Sequence, residues 1–127
     1  MAVSLFFLLM SHGTFRPTQP ITKAEYLAIL GKGENSAIAH AIIDAVDYVH
    51  DYAWLVDQVR YLLQNGEGVV VNCALVALAD MARVERSATR AEMCSLLAIV
   101  EADVRYAHYV EIVKDDIDHF LPETSAD

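Results

Sequence analysis

Cysteine, proline and basic residues are all scarce in this chain of 127 residues: two Cys, three Pro, and nine Lys plus Arg. Two cysteines cannot build the disulfide framework of a small secreted domain. Cys73 and Cys94 both fall inside apolar helical patterns. They read as small buried hydrophobes in a reduced, cytosolic setting. Neither has the electropositive neighbours that mark a reactive thiolate. The prolines stand at 17, 20 and 122, so the residues between Pro20 and Pro122 carry no proline break. The shortage of bases leaves 18 acids and a net charge of −9. Such a charge repels phosphate backbones and argues against direct nucleic-acid binding. It favours basic partners, or serves solubility alone.

Long apolar runs are also few. Met1–Met10 is nearly all apolar, but it is too short to span a bilayer as a helix. It lacks the basic start of a signal peptide. It reads as a segment laid against the first helical unit, as an extension upstream of a start at Met10, or as a self-associating edge. Strand patterns are almost absent. Val69–Val71 has local strand propensity, but it opens an apolar run that reads better as a buried helix. There is no Gly-rich phosphate loop and no nucleophile elbow.

What is present is a core-forming composition, 55% apolar, in a chain long enough to fold without staples. Three stretches line up at offsets of 33 and 34 residues: Thr22–Glu34, Leu55–Glu67 and Thr89–Glu101. Their apolar pairs recur in register at Ile29 and Leu30, Leu62 and Leu63, Leu96 and Leu97. A period of this length marks stacked helical repeats. Thr22-x-x-Glu25 and Thr89-x-x-Glu92 are capping boxes that open helices. Gly31-Lys-Gly33, Asn65-Gly66 and Pro122 close helices. The resulting expectation is an all-α domain of three stacked antiparallel helix pairs over 22–121. An irregular six-helix bundle is the alternative. Residues 1–21 form an apolar segment plus linker, and 122–127 a tail. The six helices are expected to end near Leu30, Asp51, Gln64, Val84, Glu101 and Leu121. Between Val69 and Met81 only Asn72 and Asp80 are polar, so this helix should be the most enclosed.

The repeat length and apolar pattern over 22–121 resemble the HEAT-like type of α-solenoid. Asp103-Val104-Arg105 matches a step common near the start of a second HEAT helix. The proline often found in the first is missing. HEAT-like hydroxylases hold iron with His-Glu pairs, and no such pair occurs in this sequence. HEAT-like glycosylases use a basic surface, and this chain is acidic.

Superposing the repeats at these offsets aligns Asp44 with Glu111, Asp47 with Lys114 beside Asp115, and Asp51 with Asp118. The two outer second helices then carry carboxylates at equivalent places, flanking a more apolar middle. Tyr48, Tyr52, Tyr106 and Tyr109 lie among them as candidate anchors, since tyrosine is enriched at interfaces. This surface suits a basic protein. A short acidic chain without catalytic motifs resembles, by profile, the bacterial immunity proteins that neutralise nuclease toxins. The resemblance implies a non-enzymatic binder without cofactor or metal. An adaptor or assembly chaperone would use the same physics. The competing reading is a metal-dependent enzyme. His50-Asp51 is the doublet of HD-type phosphohydrolases, and His40 lies upstream on the same predicted helix. That arrangement does not reproduce the ligand set of those enzymes. His40, Asp44, Asp47 and Asp51 span three helical turns, too far apart to share one ion.

Overall fold

A computed structural model describes residues 17–122, and these are all-α, with no strand among them. The helices are α1 (Lys23–Lys32), α2 (Asn35–Tyr48), α3 (Tyr52–Asn65), α4 (Val69–Val84), α5 (Arg90–Leu97) and α6 (Ala107–Phe120). A 3-10 turn, Val104–Tyr106, leads into α6. Residues 1–16 and 123–127 lie outside the described part, and with them the apolar segment 1–10 and most of the tail.

Helix starts follow side-chain chemistry. Thr22 accepts from the Glu25 N–H while Glu25 accepts from the Thr22 N–H, the reciprocal box the sequence predicts. Thr89 accepts from the Glu92 N–H, but Glu92 does not reach back. Its carboxylate takes the Tyr52 hydroxyl instead. Asp51 is not the end of the second helix. It caps α3 through the Trp54 N–H. Gly33 closes α1 at φ 76°, a left-handed conformation that suits glycine. Gly66 is needed for space: a Cβ there would lie 2.7 Å from both the Leu62 carbonyl oxygen and Val70 Cγ1.

Consecutive helices pack as pairs, α1 with α2, α3 with α4, and α5 with α6. The heaviest packing, however, joins the second helices: α2 against α4, and α4 against α6. α4 is therefore enclosed on most sides. Twelve of its sixteen residues are buried, including Val70, Cys73, Ala74 and Ala77, as its nearly unbroken apolar sequence requires. The core pairs Leu62 and Leu63, and Leu96 and Leu97, are buried. Ile29 and Leu30 pack against the same core. Between the first helices the links are polar or aromatic. Lys23 pairs with Asp51, and the Tyr26 and Trp54 rings meet edge-on at 5.3 Å.

Two expectations about the helices fail. α5 is short, because after Leu97 the chain turns without continuing the helix to Glu101. The connection to α6 is correspondingly long, and α6 begins four residues later than Asp103. Cys94 is exposed, not buried, and lines an open cleft between α5 and α6 with Arg90, Lys114 and Asp118.

Candidate protein-interaction surface

Three charged residues are buried among the described residues: Asp44, Asp80 and Asp116. Each stands four residues before the end of a second helix, and successive members are 36 residues apart. The last residues of these helices, Tyr48, Val84 and Phe120, follow the same interval. All three are exposed apolar side chains, at 42, 54 and 40%.

These helix ends meet in space. Asp47 of α2 acts electrostatically on Asp80 of α4. Arg83 and Asp80 of α4 act on Asp116 of α6. Near the other ends of α4 and α6, Cys73 and Tyr109 are neighbours. The second helices thus run in one direction, and their C-terminal ends form a common edge. A helix C-terminus carries about half a negative charge. Three such ends side by side add to the field of the carboxylates.

The members of the row have different partners. The Asp44 Oδ1 accepts from the Gln19 N–H at 3.0 Å. Asp80 accepts from Arg83 at 2.6 Å. Burial raises the Asp80 pKa and Arg83 partly offsets it. Asp116 receives no hydrogen bond or ion pair from any described residue, and only 5% of it is exposed. Burial pushes its carboxyl up to about 6. Arg83 and His119 favour its charge, while Asp80 and Asp115 oppose it.

The expected site residues divide. Asp47, Asp115 and Tyr48 are exposed and lie at this edge. Asp44 is buried and bonded to backbone, so it is not a surface charge. Asp51 sits outside α2, and its ion pair with Lys23 and its capping role occupy it. The hydrogen bond from Lys23 holds its carboxyl below the usual range. Asp118 pairs with Arg90 at 2.6 Å across the α5–α6 groove. It lies two residues from Asp116 and hence on a different side of α6. Glu111 is exposed and lies 3.8 Å from Lys114, which also pairs with Glu101. Tyr106 is buried, and its hydroxyl accepts from the Gly68 N–H at 2.9 Å. Tyr52 is half-buried and donates to Glu92, tying α3 to α5. Burial, then that carboxylate, raises its pKa. Tyr109 is half-buried against the core. The expected site residues therefore lie on several faces of the molecule.

Asp80, Arg83 and Asp116 are not among them. The 33- and 34-residue offsets set Asp44 against Ala77 and Glu111, whereas the second helices end 36 residues apart, so the expected register is three residues short on α4 and five on α6. One signal for Asp80 is visible in the sequence: it is a lone acid in an otherwise apolar helix. For the HD-type reading, His40 and His50 are exposed and Asp51 is engaged as above. Among the described residues no three His, Cys, Asp or Glu side chains are grouped as metal ligands.

No protein-family model matches the chain, and no curated protein matches it in sequence. Among solved structures, the fold is similar to a chain in the crystal structure of a CDI complex from Cupriavidus taiwanensis LMG 19424. The similarity covers 84% of this chain and 96% of that one, with a TM-score of 0.75 and 20% sequence identity. At this identity the likeness shows a shared all-α fold.

Proposed function

We propose that this chain is a non-enzymatic immunity protein that binds and neutralises a basic, nuclease-type toxin domain on a HEAT-like helical stack. The observation that carries the reading is the fold likeness, over nearly the whole length of both chains, to a component of a CDI complex, that is, of contact-dependent growth inhibition. Charge supports it: a net −9 is complementary to a protein that grips nucleic acid. Acids on the binder would stand where the toxin's substrate phosphates go, and inhibition follows from blocking that surface. The setting is the cytoplasm, in keeping with two unpaired cysteines. No described helix is long and apolar enough to cross a membrane.

The test is growth protection. A candidate toxin domain encoded in a reading frame neighbouring the gene is sought, and it is expressed alone and together with this chain. Expected are toxicity alone, rescue on co-expression, and a complex that elutes as one species and loses affinity as salt rises. Toxicity that this chain does not relieve, with no complex formed, overturns the reading.

A further inference from the structure

The end of the second-helix layer holds an imbalance that the fold does not resolve. Asp116 is nineteen-twentieths buried and no described group donates to it, while its carboxylate oxygens keep a contact with solvent. A carboxylate this buried, without a protein donor, is costly in its ionised form. Arg83, the basic side chain that most favours its charge ahead of His119, is committed to Asp80 at 2.6 Å. Asp80 and Asp115 add negative charge around it, with Asp47 acting on Asp80, and the α2, α4 and α6 C-termini point their partial charges the same way. Tyr48, Val84 and Phe120 stand exposed at the ends of the same three helices. Apolar and aromatic side chains around a charged centre exclude water and strengthen whatever charge pair forms within.

We propose that this edge, with Asp80 and Asp116 at its centre and Tyr48, Val84 and Phe120 as its rim, receives an arginine side chain of a basic protein partner. The inference rests on the binding-protein reading above and deepens it. The guanidinium suits the place better than an ammonium. Its planar fork can reach two carboxylates at once, and its faces stack on Tyr48 or Phe120. Arg83 stays on Asp80, so the incoming group supplies what Asp116 lacks.

Two measurements test this. In the first, the toxin domain from the growth assay is titrated into the wild-type chain and into Asp116→Asn, with Glu34→Gln, exposed at the opposite end of α2, as a remote control and thermal melts to check folding. Asp116→Asn is expected to weaken binding about tenfold or more. Glu34→Gln should leave binding unchanged. In the second, a tetra-arginine peptide is titrated while the side-chain carboxyl carbons are followed by NMR. Saturable shifts should be confined to Asp80, Asp116 and their neighbours, and vanish in Asp116→Asn. Equal toxin affinity for wild type and Asp116→Asn overturns the docking site and leaves the proposed function standing. If the toxin domain does not bind at all, the functional reading fails and the peptide decides alone. Localised, saturable shifts then uphold the site. Uniform shifts over all acids, or none, overturn it.

Discussion

Asp80 raises the cost of ionising Asp116 across the α4–α6 seam, 36 residues along the chain, yet only Asp80 is joined to a cation. The asymmetry has a cost for folding. With its carboxyl raised to about 6, native Asp116 keeps a proton that the unfolded chain releases near 4. Between these values the native state binds more protons, so stability falls as pH rises through that window. Above pH 6 the penalty is fully present; below pH 4 it is gone. Replacing Asp116 with Asn should therefore stabilise the fold at pH 7 by up to about 2 kcal/mol, with no gain at pH 3.5. Urea melts at the two pH values measure it, and a loss of stability at pH 7 would contradict the assignment.

Tyr106 is a structural residue, not an anchor. Removing its hydroxyl as Tyr106→Phe leaves the Gly68 N–H without its acceptor. The expected loss is about 1–2 kcal/mol in denaturant unfolding, with affinity for the partner unaltered. Weakened binding at full stability would restore the anchor role.

Leu63 and Leu97 are 3% and 2% exposed and belong to two of the three repeated core pairs. Each Leu→Ala change should cost about 2–5 kcal/mol. A denaturant midpoint that does not move would show that these pairs do not hold the first helices.

Tyr48 is the expected tyrosine best placed to touch a partner. Tyr48→Ala should speed dissociation of the toxin domain by about 2 kcal/mol or more as a hot spot, while changing stability little. Reversing Asp47 or Asp115 to Lys should chiefly slow association and flatten its salt dependence. Surface plasmon resonance separates the two effects; rates insensitive to all three changes would exclude this edge.

The two cysteines should differ in chemistry. Burial pushes the Cys73 thiol up to about 11, and Cys94 is exposed. A maleimide at pH 7.5 should label Cys94 promptly and Cys73 only on unfolding. Equal labelling rates would mean that α4 opens readily.

The helices were largely legible because their signals are local. Thr22 with Glu25, Gly33, and the unbroken apolar run of α4 each act within a turn or two of themselves. The site was less legible because it depends on how far one helix is carried past another. The first helices start at Lys23, Tyr52 and Arg90, 29 and 38 residues apart, so the even spacing of the apolar pairs does not set where they begin. The second helices end 36 residues apart, and the difference is absorbed in connections whose length no periodicity announces. Asp51 and Asp118 look like members of a row by spacing. Lys23 and Arg90, distant in sequence, take them out of it.

The connections absorb irregularity, so the tips of the second helices are free to keep a common level. Val113 and Ile117 are fully enclosed and hold α6 in place, whereas Asp115, Asp118, His119 and Phe120 around them are exposed. The terminal turn can then be rewritten without disturbing the body of the domain. On the binding-protein reading, a lineage facing a changing opponent could alter its recognition by exchanging a few exposed residues at three helix tips, much as a key is recut without a new blank.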